Sequence, residues 1–549
     1  MIKKILLLSI LCIALNVQAQ RNDVVEDETS SSYNLNKPFR EEWLKDTGAG
    51  LFIHFNVDAQ LGIVISHALV GASDDFTKRY FEDLPKTFNP ASFNPRAIAQ
   101  LAKMAGMKYI VFTTKHHAGF CFWDTKTTDF NITKTPYKKD LLKEFVDATR
   151  EEGLDVGFYF SPEDFNFLYT HNIPISRNNV PLSTELKKEY AEYNRKQTEE
   201  LMTKYGKIDV LFIDGDPKET VKETAWKLQP EILITRGAIL TPEQTLPGTK
   251  VTQPWLSPIT MGTAWQYQPT NDRYKSGGQL IDLLIEARAK GGSLLLNVGP
   301  KADGSLPDEQ ENRLREMAAW YFINHESMDK VRSWVVSKEK NIYFTFKAPS
   351  TLYAIVMDAK NWNEAERKNF LLHSVKSTKQ TKVSVLGQNS QIIEYKPDLD
   401  VSSTFRQLEN GLEISAVKAQ RIYDDHKWPN PVVIKLENIE PVFADAAMVQ
   451  TGNFKVTDKG LLLSGKILNY QSVKPKLAGF QYRPYRGQVE TLYADAWKNS
   501  QTVAIKQDGT FEVLINNLKD KGALEYKGFA LQQGVEVEGE NKVFNPQNK

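Results

Sequence analysis

The sequence predicts an α/β protein, a (β/α)₈-type barrel followed by C-terminal β-sandwich domains. Short β-branched or aromatic runs alternate with amphipathic helical stretches from about Trp43 to Ala319. Repeated strand-then-helix units are typical of a parallel sheet, and this many in roughly 280 residues favour a barrel over a doubly wound sheet. The absence of a glycine-rich phosphate fingerprint after the first strand also disfavours the doubly wound sheet.

The barrel elements follow from the periodicity of the apolar residues. The runs rich in β-branched and aromatic residues predict six strands, at Leu51–Phe55, Tyr109–Thr114, Val156–Ser161, Val210–Asp214, Ile232–Thr235 and Leu294–Val298. The stretches with helical spacing predict five helices, at Pro95–Ala105, Lys139–Gly153, Ser183–Tyr205, Gly278–Lys290 and Pro307–His325.

After about Asp329 the pattern changes to short alternating runs separated by turns, such as "NIYFTFKAPSTLYAIVMD", which predict a β-sandwich. A further β-rich block begins near Asp445 and has the length of one immunoglobulin-like domain. We therefore predict a signal peptide at residues 1–20, a catalytic barrel at 21–329, a β-sandwich at 330–444 and an additional immunoglobulin-like β domain at 445–549.

The N-terminus has the three regions of a secretory signal: the charged start "MIKK", the apolar stretch Ile5–Val17 and the small-residue end "QAQ". The sequence therefore predicts export across an inner membrane, with a periplasmic location. After cleavage Cys121 is the only cysteine, which excludes a disulfide framework and a cysteine metal site. No later segment is long and apolar enough to predict a transmembrane helix.

The charge balance excludes nucleic acid as the expected partner. The 549 residues include 69 Lys plus Arg against 68 Asp plus Glu, and no long basic or acidic block occurs. A nucleic-acid-binding protein is expected to carry a basic patch or stripe.

The active site of such a barrel lies at the C-terminal ends of its strands. Polar and aromatic residues at or just after the predicted strands are His54, His116, His117, Trp123, Glu163, Asp164, Asp214, Asp216, Arg236, Trp255, Trp265 and Asn297. Asp214 ends an apolar strand, the setting of a nucleophile or base, although a helix cap or a salt bridge explains the same position.

Three histidines and several tryptophans on this face suggest a metal site or a sugar site. Adjacent histidines on a strand point to opposite faces, and no glutamate stands at the helical spacing of the common zinc motifs. Histidine supplies hydrogen bonds to hydroxyls, and tryptophan supplies a platform for the apolar face of a sugar. We therefore predict a sugar site without metal or cofactor.

The segments "LFIHF", "MKYIVFTTKHHAGFCFWDTKTTDFNI", "YGKIDVLFIDG" and "KGGSLLLNVGPKADGSLPDEQENRLREM" resemble glycoside hydrolase family 29, the α-L-fucosidases, over roughly Trp43 to Met328. The resemblance implies a retaining glycosidase with a covalent fucosyl intermediate, acting on a fucosylated oligosaccharide or glycoprotein glycan. It implies that Asp214 is the nucleophile. The expected substrate-binding residues are His54, His116, His117, Trp123, Tyr159 and Trp265.

The sequence departs from the family at the general acid/base. Leu256 occupies the position of the usual glutamate, and Thr77–Phe81 lacks the alternative "Glu-Trp-Tyr" step. A retaining enzyme needs two carboxyl groups about 5–5.5 Å apart. The remaining carboxylates near the site are Glu82, Glu163, Asp164, Asp216 and Glu243. We favour Glu163, which follows the strand before that of Asp214, and keep Glu243 as the second candidate.

Two other functions fit the same residues. L-Fucose has the hydroxyl pattern of galactose, so a related galacto-configured sugar is the alternative substrate that the departures from the family at His54-Phe55-Asn56 and Ala118 suggest. A catalytically silent glycan-binding protein would retain the pocket without its acid. Turnover separates these two functions.

Overall fold

The computed structural model describes residues 33–177, 180–270, 272–389, 391–425, 428–485, 495–516 and 522–545. Its N-terminal part is a curled parallel sheet of seven strands in the order β5-β4-β3-β2-β1-β7-β6. The strands are β1 Ala49–Ile53, β2 Tyr109–Lys115, β3 Asp155–Phe160, β4 Val210–Ile213, β5 Leu233–Ile234, β6 Leu256–Thr260 and β7 Ser293–Val298. Nearly every residue of these strands is buried, as expected for a parallel sheet covered on its faces.

Ten α-helices accompany this sheet in the residues that the structure describes. They are α1 Pro38–Thr47, α2 Asp74–Glu82, α3 Leu84–Thr87, α4 Pro95–Met104, α5 Leu141–Glu151, α6 Phe165–Thr170, α7 Thr184–Lys204, α8 Glu219–Leu228, α9 Gly277–Ala289 and α10 Asp308–Asn324. The longer helices begin where the sequence offers a cap: Asn94, Asp140 and Ser183 each accept a hydrogen bond from a first-turn N–H. The five predicted helices are confirmed to within two residues at each end.

The parallel register aligns the C-terminal ends of neighbouring strands. Ile53 pairs with Phe112, Phe112 with Phe158, and Phe158 with Leu211. The residues that follow β1, β2, β3 and β4 therefore meet at one edge of the sheet, where the sequence predicts the active site.

The predicted barrel is confirmed only as a curled sheet of seven parallel strands. All six predicted strands are present, and β6 is an additional one that the sequence pattern did not indicate. Between the edge strands β5 and β6, the parallel bridge of Leu240 with Trp255 joins the segment after β5 to β6. Closure into eight strands stays a prediction.

The following residues form two antiparallel sheets, and their packing as a β-sandwich stays a prediction. A five-stranded sheet in the order β12-β15-β10-β9-β8 accompanies a three-stranded sheet, β11-β14-β13. The strands are β8 Arg332–Glu339, β9 Ile342–Lys347, β10 Thr351–Val356, β11 Arg367–Leu372, β12 Val375–Val385, β13 Thr404–Leu408, β14 Gly411–Val417 and β15 Val432–Pro441. Their apolar residues belong to the same continuous core as those of the parallel sheet.

The last part of the chain is a second antiparallel unit with a core of its own. Its elements are β16 Val449–Thr457, β17 Gly460–Ile467, α11 Tyr470–Val473, β18 Leu477–Pro484, β19 Lys498–Asn499, β20 Val503–Ala504, β21 Thr510–Asn516, β22 Leu524–Gln532, β23 Val535–Glu538 and β24 Lys542–Phe544. The changes of sheet near 330 and 445 agree with the domain limits given above, which remain sequence predictions.

The predicted signal peptide, residues 1–20, lies outside the described residues. In the part of the chain that the structure covers, no helix has the length and apolar character needed to cross a membrane. Export therefore stays a prediction.

A buried ion pair joins the end of β2 to the loop after β3. Lys115 Nζ lies 3.1 Å from Asp164 Oδ2, and both side chains are fully buried. The ammonium also donates to Gln197, the Tyr193 hydroxyl donates to Asp164 Oδ2, and Asp164 Oδ1 accepts the Phe167 N–H at the start of α6. Each charge is thus paired and hydrogen-bonded, which buried charges require.

We expect Lys115→Met to lower the free energy of unfolding of the parallel-sheet unit by about 3–5 kcal/mol, because it leaves the Asp164 carboxylate buried without its cation. The matched control is Lys143→Met, which breaks the exposed pair with Asp147 and should cost less than about 1 kcal/mol. Urea unfolding monitored by tryptophan fluorescence measures both. Equal losses would contradict a structural role for the buried pair.

Candidate active site

The structure brings three predicted histidines together at the C-terminal edge of the sheet. His54 follows β1, while His116 and His117 follow β2. The ring centroids of His54 and His116 are 5.9 Å apart, and those of His116 and His117 are 4.3 Å apart. Burial lowers the pKa of His54 to about 4 and that of His117 to about 3, so both rings are neutral near pH 7.

Two predicted aromatic residues line the same cluster. The Trp265 ring lies 4.8 Å from that of His54, and the Tyr159 ring stacks on His116 at 5.4 Å. Asn297, at the end of β7, joins the groups: its Oδ1 lies 2.6 Å from His54 Nδ1, and its amide donates to the Trp265 carbonyl. Trp265 is only partly buried, so its ring can pack against a ligand.

Asp214 follows β4 and supplies a negatively charged carboxylate to the site. The Tyr159 hydroxyl donates to its Oδ2 at 2.8 Å, and Arg236 Nε lies 3.8 Å from its Oδ1. Burial alone would raise the pKa of Asp214, but the Arg236 guanidinium and the Tyr159 hydrogen bond together hold it below its usual value. Asp214 is therefore ionised at neutral pH.

Glu163 lies near the other nitrogen of His117 from the one that Asp214 approaches. His117 Nδ1 is 3.1 Å from Glu163 Oε2, whereas His117 Nε2 is 3.6 Å from Asp214 Oδ2. The Glu163 carboxyl also packs against Gly215, where an added Cβ would lie 2.8 Å from Glu163 Cδ. Burial raises the pKa of Glu163 to about 7, with nearby Asp214 adding to the effect and Arg177, at 3.1 Å, opposing it.

The second acid/base candidate, Glu243, is placed differently. It accepts a hydrogen bond from Arg236 Nη1 at 2.7 Å, and its side chain is 40% exposed. The Arg236 guanidinium thus contacts both Glu243 and Asp214. Glu163 contacts His117 beside Asp214, whereas Glu243 contacts Arg236 and is partly exposed, so the geometry favours Glu163 over Glu243.

The other positions considered for the acid lack a suitable carboxyl group. Leu256, the first residue of β6, is fully buried in an apolar cluster with Phe52 and Leu295. The Asp164 carboxylate already accepts from Lys115, and it caps the N-terminus of α6. Glu82 accepts a hydrogen bond from the Tyr169 hydroxyl, and Asp216 is exposed.

Trp123 is not brought to the histidine cluster. Its side chain is fully buried in the core, and its indole N–H donates to Glu200 on α7 at 2.8 Å. A ring with no exposed face cannot stack on a sugar, and an indole N–H that is already hydrogen-bonded cannot donate to a sugar hydroxyl. The structure therefore gives no support to its predicted role.

The sequence reasoning missed residues that contact the histidines. The Ser66 hydroxyl lies 2.8 Å from His116 Nδ1, the Ser161 hydroxyl lies 2.7 Å from His117 Nδ1, and the His67 ring lies 5.4 Å from that of His117. Ser66 has a φ of 56°, a conformation that non-glycine residues rarely adopt and that often marks a functional site. The buried Asp58 carboxylate holds it by accepting the Ser66 N–H.

Ligand atoms of His116, His117 and Asp214 lie within 4.8 Å of one another, a spacing that a metal ion can use. The Arg236 guanidinium beside Asp214 disfavours a second cation there. The acceptor groups and the aromatic ring of Trp265 fit a polyhydroxylated ligand better.

Comparison with known proteins identifies the family. The alpha-L-fucosidase family model matches residues 13–326. The plasma alpha-L-fucosidase of Rattus norvegicus is 28% identical over 341 residues, which cover 56% of this chain and 71% of the rat protein.

Two solved structures share the fold. Alpha-L-fucosidase isoenzyme 1 from Paenibacillus thiaminolyticus is 28% identical, with a TM-score of 0.59, covering 73% of this chain and 99% of its own. A family 29 alpha-L-fucosidase from Bacteroides thetaiotaomicron, trapped as a covalent intermediate, is 22% identical, with a TM-score of 0.58, covering 75% of this chain and 99% of its own. Since the family model matches more than half of the chain, this protein belongs to the alpha-L-fucosidase family, glycoside hydrolase family 29.

Proposed function

We propose that the protein is an exported exo-glycosidase that removes terminal α-L-fucose from glycans by a retaining double displacement. The observation that carries this proposal is the pair of unlike carboxyl groups near His117: Glu163 Oε2 lies within hydrogen-bond distance of Nδ1 at 3.1 Å, and Asp214 Oδ2 lies beyond that distance from Nε2 at 3.6 Å. One, Asp214, is held ionised; the other, Glu163, has its pKa raised to about 7. Two carboxyl groups with separated pKa values are the pattern of a nucleophile and an acid.

In the first step an Asp214 carboxylate oxygen attacks the anomeric carbon, and the bond from that carbon to the leaving oxygen breaks. Glu163 gives its proton to the leaving oxygen, so the aglycone departs as an alcohol. In the second step Glu163, now a carboxylate, takes a proton from water, and the resulting hydroxide oxygen attacks the anomeric carbon. Asp214 is released as a carboxylate and Glu163 is protonated again.

The electrostatics of the site support this exchange of roles. The negative charge of Asp214 helps to raise the pKa of Glu163. Ester formation removes that charge, so the pKa of Glu163 falls when it must act as a base. The Arg177 guanidinium, 3.1 Å from Glu163, then stabilises the carboxylate.

The pocket favours a single terminal sugar over an internal one. His54, His116 and His117 are almost fully buried, so their polar atoms reach only a residue inserted into the pocket. The Bacteroides thetaiotaomicron relative, trapped with 2-fluoro-fucosyl fluoride, supports fucose as that sugar and a covalent intermediate as the mechanism. The signal-like residues 1–20 support export to a periplasm.

Hydrolysis of two substrates tests the activity. We expect the purified protein to cleave both an aryl α-L-fucoside with a good leaving group and a natural fucosylated oligosaccharide, and Asp214→Ala to abolish both reactions. Cleavage of the aryl substrate alone would indicate a nucleophile without an acid. Failure on both would contradict the fucosidase proposal and favour another galacto-configured sugar or a binding role.

Glutamine variants test the identity of the acid. We expect Glu163→Gln to lower kcat/KM for the natural substrate about 10²–10⁴-fold, because the leaving oxygen is no longer protonated. The activated aryl fucoside should lose less in its first step, and azide, which needs no base, should restore its turnover. The matched variant Glu243→Gln should change both substrates far less; the reverse ranking would assign the acid to Glu243.

The pH profile should follow the same groups. Above pH about 7 Glu163 loses its proton, so kcat/KM for the natural fucoside should fall about tenfold per pH unit. Below pH about 4 His54 gains a proton and activity should fall again. Initial rates from pH 3 to 9 measure both limbs. A high-pH limb that survives in Glu163→Gln would contradict the assignment.

A further inference from the structure

The three histidines of the pocket each have one nitrogen held by the protein, and the partners of that nitrogen define where the ring proton lies. For His54 the partner is Asn297. The Asn297 amide nitrogen lies 2.6 Å from the Trp265 carbonyl, which can only accept, so Oδ1 is the atom that faces His54 Nδ1. An amide oxygen is also only an acceptor, so Nδ1 carries the proton and Nε2 is bare.

His116 has the opposite arrangement. The Ser66 hydroxyl oxygen accepts from the Ala118 N–H at 2.9 Å, whereas the two protons of the Asn56 amide go to the nearer Asp58 carboxylate and Tyr80 hydroxyl. Ser66 is fully buried, so its own proton needs an acceptor, and His116 Nδ1 at 2.8 Å supplies it. Nδ1 is therefore bare and Nε2 carries the proton.

His117 follows the pattern of His54. The Ser161 hydroxyl donates to the Glu163 backbone carbonyl at 3.2 Å, which leaves its oxygen free to accept from His117 Nδ1 at 2.7 Å. The Glu163 Oε2 atom, 3.1 Å from the same nitrogen, is a second acceptor. Nδ1 thus carries the proton and Nε2 is bare. Because Oε2 accepts from His117 and Arg177, the acidic proton of Glu163 resides on Oε1.

We propose that Ser66, Ser161 and Asn297 are positioning residues that set a fixed hydrogen-bond polarity in the sugar pocket: His116 presents an Nε2–H donor, and His54 and His117 present bare Nε2 acceptors. The two acceptors select sugar hydroxyls, which have a proton to donate. They reject a fluoro or methoxy group at the same positions, whereas the His116 position tolerates a substituent that only accepts. The selectivity, unlike the tautomers, rests on the proposed function.

Nitrogen NMR of the full chain labelled with ¹⁵N-histidine tests the tautomers directly, because protonated and bare imidazole nitrogens resonate far apart. Single His→Gln variants assign the rings. At pH 7 without substrate, we expect Nδ1–H for His54 and His117 and Nε2–H for His116. The same tautomer at His116 and His117 would overturn the proposal. This measurement needs no turnover, so its result does not depend on whether the protein is an active fucosidase.

Serine variants link the tautomer to specificity. We expect Ser66→Ala to give His116 a mixture of tautomers and to raise KM for the aryl fucoside about tenfold, since the Nε2–H donor is then only partly present. The control Ser257→Ala removes another fully buried hydroxyl, which donates to the Pro242 carbonyl away from the histidines. It should lower thermal stability to a similar extent with KM unchanged. An unchanged His116 spectrum in Ser66→Ala would overturn the role of Ser66.

Deoxyfluoro derivatives of the aryl fucoside, one per ring hydroxyl, test the consequence. At least two of the positions should lose about 10²-fold or more in kcat/KM, since a buried acceptor is left without a donor. Fluorine at the sugar position that contacts His116 should lower kcat/KM less than fluorine at the other positions. This difference in kcat/KM between positions should be smaller in Ser66→Ala. Uniform losses at all positions would overturn the selectivity while leaving the fucosidase assignment intact.

Discussion

The geometry of the site depends on the buried pair between Lys115 and Asp164. Lys115 immediately precedes His116 and His117, and Asp164 immediately follows Glu163, so this contact fixes the ends of β2 and β3 relative to each other. Gly119 packs against the Asp164 carboxylate so closely that a Cβ would clash with it. A charge pair without exposure to water has few alternative arrangements. It therefore holds the neighbouring site residues within a fraction of an ångström of their positions.

Neutral histidines suit the space between two carboxyl groups. A cationic His117 would lower the pKa of both Glu163 and Asp214, and Glu163 would then lose its proton at neutral pH. Burial keeps the ring neutral, so Asp214 is governed by Arg236 and Tyr159, and Glu163 by its own desolvation. The difference in pKa between Asp214, the proposed nucleophile, and Glu163, the proposed acid, therefore comes from unequal solvation and unequal cation contacts rather than from residue type.

The resemblance places the usual acid of the family at Leu256, a position that the structure buries. Leu256 packs with Phe52 and Leu295 inside the sheet, where an ionised carboxylate would be costly. Other strand ends point to the same pocket, so a carboxyl group from the loop after β3 can lie near Asp214. This arrangement follows from parallel strands, whose C-terminal ends converge whichever strand supplies the residue.

The sequence by itself determined the strand and helix segments, the β-rich C-terminal half and the positions of His54, His116, His117, Tyr159 and Asp214, because apolar periodicity and strand-end polarity are local signals. It missed β6, whose "LSPIT" lacks a clear strand pattern, and it placed Trp123 among the sugar contacts. Only the tertiary structure decided that Trp123 is buried against Glu200, that Ser66 and Ser161 hold the histidines, and that Glu163 rather than Glu243 lies beside His117. Burial, pKa and ring tautomers depend on neighbours distant in sequence, and no local pattern records them.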